Sequence, residues 1–122
     1  MDKLIMVVED TADLLAGIQE LLQMEGYQVS AVRNGVRALK LLPIARPDLI
    51  ITDLLMPEMN GFDLIRKVRE ETTWDAIPIL VFSAMPAQEN ERIVFDLGAN
   101  SYLKKPGTVE ALLVAVNKLL IK

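Results

Sequence analysis

Residues 48–57 read DLIITDLLMP, an almost uninterrupted apolar run that ends in the carboxylate of Asp53 and is followed by Pro57. A short, β-rich apolar run between turn residues is typical of a strand that is buried on both faces, as in a parallel sheet. Asp53 then lies where the strand ends, at the edge of the sheet where open α/β folds bind their ligands. A second apolar run, residues 4–8, ends in the same way, in Glu9 and Asp10.

The rest of the chain continues this alternation of short apolar runs and helical periodicity. The predicted strands span residues 3–8, 27–32, 48–53, 78–83 and roughly 100–104. Amphipathic segments separate them, with Gly26 as the C-terminal stop of the first helix and Thr108 as the N-cap of the last. We predict a third helix over residues 61–71, a fourth around residues 87–97, and a second helix that is broken near Pro43.

Strict βα alternation predicts one α/β domain over residues 1–122, a doubly wound, five-stranded parallel sheet with helices on both faces. The pattern does not fix the strand order. The order 2-1-3-4-5, that of a flavodoxin-like (βα)5 fold, would place strands one and three side by side at the topological switch point. Glu9, Asp10 and Asp53 would then meet in one crevice.

The composition excludes several classes of protein. The chain has no cysteine and no histidine, which rules out disulfides, thiolate metal sites, histidine-based catalysis and zinc sites built on histidine. A net charge of −4 does not suggest binding to nucleic acid. No apolar run approaches membrane-spanning length, and the first residues lead directly into strand one. We therefore expect no signal peptide, no membrane segment and a cytoplasmic location.

The three acids predict a metal site. Carboxylates that lie close together repel one another, and a hard divalent cation relieves that repulsion. Mg²⁺ prefers oxygen ligands and commonly takes one or two carboxylates together with water and phosphate oxygens. The alternatives are that Asp10 caps the first helix and that Asp53 only starts a turn. The joint occurrence of the acids on two strands favours the metal site.

Strands four and five add a hydroxyl and an amine to the same edge. Ser83 ends strand four, where it either binds a phosphoryl oxygen or caps the next helix. Lys105 follows strand five, as a partner for a carboxylate or phosphate or as a solvated surface lysine. Pro106 permits a cis peptide bond, which would aim Lys105 into the crevice. Tyr102 is either an ordinary half-buried aromatic residue or a side chain that changes position.

Taken together in this order, these residues resemble the receiver domain of two-component response regulators, including single-domain chemotaxis regulators. The resemblance runs from the first strand to the last helix. It rests on residues that each lie at the end of a strand or beside it: Glu9-Asp10, Asp53 with Met56-Pro57, Ser83-Ala84, Gly98-Ala99, and Tyr102 through Lys105-Pro106.

The resemblance implies a phosphoacceptor and a metal site. Asp53 would take a phosphoryl group from a phosphohistidine or a small phosphodonor and form an acyl phosphate. Asp10 would bind Mg²⁺ directly and Glu9 largely through water. Asp53 and the backbone carbonyl of Leu55 would complete the ligands that the chain supplies.

The resemblance also implies a switch. Ser83 and Lys105 would hold the phosphoryl group, Lys104 would be solvated, and Tyr102 would turn inward on activation. The implied function is a phosphorylation-activated signalling module that catalyses only its own phosphorylation and dephosphorylation. Its upstream partner would be a histidine kinase or a histidine phosphotransfer protein. The chain has no histidine, so any phosphohistidine donor must be a separate protein. A downstream protein or effector domain would recognise helix four, strand five and helix five, and a phosphorylation-dependent dimer is compatible with this function.

Several positions depart from the family pattern. Leu55 and Met85, two residues after Asp53 and Ser83, are both apolar. These positions influence water attack on the acyl phosphate in the family, so we predict slow self-dephosphorylation. Ser83 stands where threonine is commoner, and Gly107 stands where relatives often carry a large apolar residue.

Two other functions compete with the receiver. A non-phosphorylated pseudo-receiver would keep the fold as a protein-interaction module, but the complete set of Glu9, Asp10, Asp53, Ser83 and Lys105 argues against it. A small Mg²⁺-dependent phosphohydrolase with an aspartyl nucleophile would typically carry a second acid two residues later, where this chain has leucine. It would also need a cap over its substrate, for which the chain leaves little room.

Overall fold

The computed structural model describes residues 2–121, apart from the side chain of Val109. Five strands alternate with five helices. The strands are β1 Leu4–Val8, β2 Gln28–Val32, β3 Leu49–Thr52, β4 Ile79–Ser83 and β5 Ser101–Lys104. The helices are α1 Ala12–Met24, α2 Gly35–Ala45, α3 Gly61–Glu70, α4 Ala87–Leu97 and α5 Val109–Leu120, with a short 3-10 helix at Thr72–Trp74. The predicted strands are all present, and their ends lie within one residue of the predicted positions.

All five strands are parallel and follow the order β2-β1-β3-β4-β5. This confirms the doubly wound, flavodoxin-like fold. Val8 pairs with Val32 on one side and with Thr52 on the other, so these three strands end at the same level. The residues that follow β1 and β3 therefore emerge side by side at the carboxyl edge of the sheet.

The sheet separates two apolar cores, as alternation along buried strands requires. Met6 and Val8 of β1 face a core shared with α2, α3 and α4, whereas Ile5 and Val7 face one shared with α1 and α5. No helix within residues 2–121 is long and apolar enough to cross a membrane.

Two of the predicted helix ends are confirmed, and one prediction about a helix interior is wrong. Gly26 follows the C-cap of α1 with a φ of 93°, and the Thr108 hydroxyl accepts a hydrogen bond from the Ala111 amide. Helix α2, however, is not broken at Pro43 but continues to Ala45. Pro43 lies in the last turn, where it removes one intrahelical bond, and the buried Ala38 and Leu42 hold the helix against the sheet.

Arg69 of α3 donates hydrogen bonds to several loops at the amino edge of the sheet. Its guanidinium donates to the backbone carbonyls of Gly98, Trp74 and Ile77, at 3.0, 3.0 and 2.8 Å, and to Oδ1 of Asn100 at 3.1 Å. A β-carbon on Gly98, whose φ is 117°, would lie 2.6 Å from Cγ of Arg69. The close approach of this arginine therefore requires glycine at the end of α4.

Candidate functional site

Three carboxylates meet at the carboxyl edge of the sheet. One oxygen of each of Glu9, Asp10 and Asp53 lies within 4.8 Å of the others. Glu9 is 2% exposed and Asp53 is 8% exposed, whereas Asp10 is half-buried. The strand order brings them together, because β1 and β3 are neighbours and end at the same level. The structure thus assembles the acidic cluster that the sequence predicts.

Lys105 enters this cluster from the loop after β5. Its Nζ lies 2.8 Å from Oε1 of Glu9 and 2.8 Å from Oδ2 of Asp53. The same atom lies 5.5 Å from the centroid of the Phe82 ring. The Lys105–Pro106 peptide bond is cis. Because its ammonium pairs with two carboxylates, Lys105 is not a solvated surface lysine, whereas Lys104 is exposed.

The electrostatics of the cluster favour a further cation. Burial lowers the pKa of Lys105, but its hydrogen bonds to Asp53 and Glu9 and the charges of both acids outweigh that effect and raise the pKa above its usual value of 10.5. One lysine pairs with two of the three carboxylates, and no described residue forms an ion pair with Asp10. The converging ligand atoms are all oxygens, which Mg²⁺ prefers, so the cluster fits a magnesium ion.

Asp53 is held in place by the backbone that follows it. Its Oδ1 accepts hydrogen bonds from the amides of Leu54 and Leu55, at 2.6 and 3.3 Å. Gly61, the first residue of α3, donates its amide to the Leu54 carbonyl at 2.9 Å. The leucine side chain of residue 55 is 58% exposed at the rim of the site. One carboxylate oxygen of Asp53 therefore contacts backbone amides, while the other contacts Lys105.

Ser83 and Tyr102 lie along the neighbouring strands. Ser83 is fully buried, and its hydroxyl accepts a hydrogen bond from the Met85 amide at 3.2 Å. The half-buried Tyr102 donates its hydroxyl to the Met85 carbonyl at 2.8 Å. Burial raises the pKa of Tyr102; the nearby Ser83 hydroxyl opposes this, and the charges of Asp53 and Glu91 reinforce it. Both side chains thus meet at the loop between β4 and α4.

Two alternatives based on helix capping are wrong. The N-cap of α1 is Thr11 rather than Asp10, and the Thr11 amide donates to Oε2 of Glu9 at 3.1 Å. The N-cap of α4 is Pro86, three residues beyond Ser83, so the serine does not cap that helix. Asp10 and Ser83 are therefore available to the site.

Three residues that contribute to the site were not singled out from the sequence. Arg33, after β2, donates to the backbone carbonyl of Asp10 at 2.9 Å. Gly61 allows α3 to begin against the backbone of Asp53, and the Asn-Gly pair at residues 60–61 is a signal that could have indicated this turn. Phe82 lies beneath Lys105 and also lines an apolar cleft of about 240 Å³ beside Gly17 and Gly107, which no sequence pattern indicates.

Comparisons with known proteins agree with this geometry. A family model described as the response regulator receiver domain matches residues 5–117. The chain is 35% identical over 116 residues to the response regulator MprA of Mycobacterium sp. (strain KMS), covering 95% of this chain and 50% of the relative. It is 38% identical over 116 residues to the sensor histidine kinase TmoS of Ectopseudomonas mendocina, covering 95% of this chain and 12% of that protein. The chain thus spans half or less of the length of these relatives.

Solved structures show the same fold. The chemotaxis response regulator CheY4 of Vibrio cholerae superposes with a TM-score of 0.93 at 30% identity, covering 98% of this chain and all of that one. The receiver domain of a signal transduction histidine kinase from Syntrophus aciditrophicus superposes with a TM-score of 0.89 at 33% identity, covering 97% of this chain and 89% of that one.

Proposed function

Because this chain belongs to the response regulator receiver domain family, we propose that it accepts a phosphoryl group on Asp53 and so switches a protein-interaction face. The observation that carries the proposal is the position of Lys105, whose Nζ lies 2.8 Å from both Glu9 and Asp53. This contact places a nucleophile, the carboxylate of Asp53, beside a cation for phosphoryl oxygens, the ammonium of Lys105.

The proposed reaction is an in-line displacement at phosphorus. A carboxylate oxygen of Asp53 forms the new O–P bond. The P–N bond of a phosphohistidine, or the P–O bond of a small acyl phosphate, breaks, and its electron pair leaves with the imidazole nitrogen or the carboxylate oxygen. In dephosphorylation, water attacks phosphorus and releases inorganic phosphate and the free carboxylate. The chain would catalyse these two reactions on itself and would have no other enzymatic activity.

The residues of the crevice have distinct roles in this proposal. Asp10 and Asp53 would hold Mg²⁺ together with the carbonyl of Leu55, and Glu9 would act largely through water. When bound, the ion would neutralise charge on the phosphoryl oxygens. Lys105, which pairs with Asp53 before the reaction, would pair with a phosphoryl oxygen afterwards.

The switch would follow from the hydroxyl groups at the β4–α4 loop. Ser83 gives up its bond from the Met85 amide to donate to a phosphoryl oxygen, and Tyr102 gives up its bond to the Met85 carbonyl and turns inward. Loss of these bonds would change the face formed by α4, β5 and α5, which a downstream protein or effector domain recognises. The phosphodonor would be a histidine kinase or a phosphotransfer protein. A cytoplasmic location stays a prediction.

The test is intact-mass spectrometry after incubation with acetyl phosphate, with and without Mg²⁺. We expect the wild type to gain one phosphoryl group only when Mg²⁺ is present and Asp53→Asn to gain none. Asp13→Asn, which changes an exposed aspartate of α1, is the matched control and should behave as the wild type does.

Other outcomes would contradict the proposal in different ways. An equal adduct on the wild type and on Asp53→Asn would move the acceptor to another residue. Failure of the wild type to gain a phosphoryl group from acetyl phosphate or from any of a panel of histidine kinases would favour the non-phosphorylated pseudo-receiver.

A further inference from the structure

The charged side chains on the outer face of α2 are all positive. Residues 26–47 contain three arginines, one lysine and no acid, although the whole chain has a net charge of −4. Helical spacing places Val36, Lys40 and Ile44 on one stripe, with Arg37 beside them. With Arg33, which precedes the helix, these residues form what we call the α2 strip, and all five are exposed.

The cations of the α2 strip have no carboxylate partner within the described part of the chain, and Arg33 donates to the backbone carbonyl of Asp10. Carboxylate–cation pairs within 4 Å occur there only at Arg66–Asp63 and around Lys105, so the three cations of the strip form no ion pair. Ile44 is 78% exposed, and an open groove of about 390 Å³ runs beside it, lined by Val32, Arg37, Lys40, Leu41 and Ile44. Cations around apolar side chains are suited to an acidic, partly apolar surface.

Helix α4 presents a surface of that kind. Its exposed residues include Glu89, Glu91 and Asp96, with Arg92 as the one cation, and the large apolar side chains of Ile93 and Phe95. Phe95 is 42% exposed and Ile93 is 48% exposed. We call the exposed residues 89, 91–93, 95 and 96 the α4 patch.

These two surfaces lie at opposite ends of one helical layer. Helices α2, α3 and α4 cover the same face of the sheet, and α3 lies between the other two and packs against both. The α2 strip and the α4 patch therefore cannot meet within one chain. A second copy, placed beside the first, would bring its α4 patch against the α2 strip and continue the layer from one molecule to the next.

We propose that the α2 strip binds the α4 patch of a second copy of this chain, in a head-to-tail contact. The contact joins two different surfaces, so each bound molecule still has one free strip and one free patch, and assembly does not stop at a dimer. One helix face on each side buries less than the roughly 800 Å² per partner of a stable interface. Assembly therefore requires high protein concentration, and salt weakens it.

Sedimentation velocity of the whole chain tests this directly, from about 20 µM to about 1 mM protein and at about 25 mM and about 500 mM salt. We expect the weight-average mass to rise to more than twice the monomer mass at low salt and to return toward the monomer mass at high salt. Arg37→Glu with Lys40→Glu should stay monomeric, as should Glu91→Lys with Asp96→Lys. Mixing these two variants should restore association, because each retains the surface that the other has reversed.

Lys67→Glu with Lys118→Glu is the matched control for Arg37→Glu with Lys40→Glu, since it makes the same change in net charge at exposed sites outside both surfaces. It should assemble as the wild type does, and circular dichroism should show all variants folded. A wild type that stays monomeric throughout would overturn the proposal, as would a species that saturates at the dimer or association that survives either reversal. Binding of a DNA duplex that is lost in Arg37→Glu with Lys40→Glu, without wild-type self-association, would assign the strip to nucleic acid instead.

Discussion

A β-carbon on Gly61 would lie 2.2 Å from the backbone carbonyl oxygen of Asp53. It would also lie 2.7 Å from Cα of Leu54, so the atoms in the way belong to the backbone and not to a flexible side chain. The first turn of α3 can therefore approach the loop after β3 only because residue 61 is glycine. This one backbone contact sets the position of Asp53, the proposed nucleophile, relative to the first turn of α3.

Gly61→Ala should consequently lower the free energy of unfolding by about 2–4 kcal/mol, because the backbone must shift to relieve the overlap. Gly17→Ala is the control, since a β-carbon there meets nothing within 4 Å in the middle of α1. That substitution should raise stability by about 0.5–1 kcal/mol. Urea denaturation measures both, and a Gly61→Ala protein as stable as the wild type would contradict the argument.

Lys105→Met should increase the affinity for Mg²⁺ and slow phosphorylation. Removal of the ammonium leaves Glu9 and Asp53 without their partner, so the negative charge available to a metal ion increases. We expect Mg²⁺ to bind at least about threefold more tightly and the metal-free protein to lose about 1–3 kcal/mol of stability. Titration calorimetry measures the affinity. Lys104→Met, at the exposed neighbour, should change neither the affinity for Mg²⁺ nor the stability of the metal-free protein.

Lys105 should also make stability depend on alkaline pH. Its pKa in the folded chain is raised above 10.5, so its ion pairs contribute fully below that value and are lost as the pH rises through the folded pKa. The difference in stability between the wild type and Lys105→Met should therefore shrink above about pH 10.5. Tyr27 and Tyr102, whose pKa values burial also raises, are present in both proteins. A difference that stays constant up to pH 12 would contradict this prediction.

Phosphorylated protein should lose its phosphoryl group slowly, because the side chains of Leu55 and Met85 offer no polar atom to orient an attacking water. Leu55 is 58% exposed, so a polar replacement there would face solvent and the site together. Leu55→Gln should speed the loss at least about fivefold, since a well-positioned polar group contributes up to about 10²–10⁴-fold. Met24→Gln, at an apolar residue of α1 that is 77% exposed, should leave the rate unchanged. Rapid loss of label from wild-type Asp53 would refute the prediction.

Arg69→Met should lower the free energy of unfolding by about 2–4 kcal/mol, because three backbone carbonyls and Asn100 lose a charged donor. Arg66→Met is the matched control on the same helix. Arg66 pairs with Asp63, but the two side chains are 52% and 46% exposed, so its loss should cost less than about 0.5 kcal/mol. Thermal or urea unfolding separates the two, and equal effects would contradict the role given to Arg69.

The sequence pattern was sufficient for the strands and for the convergence of acids at one edge. Parallel strands carry the acids that follow them to one edge of the sheet, but the pattern leaves the strand order open. The observed order β2-β1-β3-β4-β5 places β1 beside β3 and unites Glu9, Asp10 and Asp53. Lys105 could be placed only as a candidate, because its contact with Glu9 joins residues 96 positions apart. Contacts of that kind depend on how loops pack after the sheet has formed.

The errors have local causes. Pro43 indicated a broken helix because proline disrupts intrahelical bonding, but burial of Ala38 and Leu42 outweighs one lost bond in the last turn. Asp10 was a reasonable N-cap by residue type, yet α1 begins after Thr11 and leaves the carboxylate at the cluster. In both cases tertiary packing outweighed a local preference.

The hydrogen bonds of Arg69 have a consequence for recombining this domain with its relatives. A chimaera whose crossover falls between residues 70 and 97 would combine the arginine of one parent with the glycine and asparagine of another, at positions 98 and 100. Crossovers before residue 69 or after residue 100 would keep all of these residues from a single parent. The segment from α3 to the start of β5 is therefore the natural unit of exchange when receiver domains are grafted.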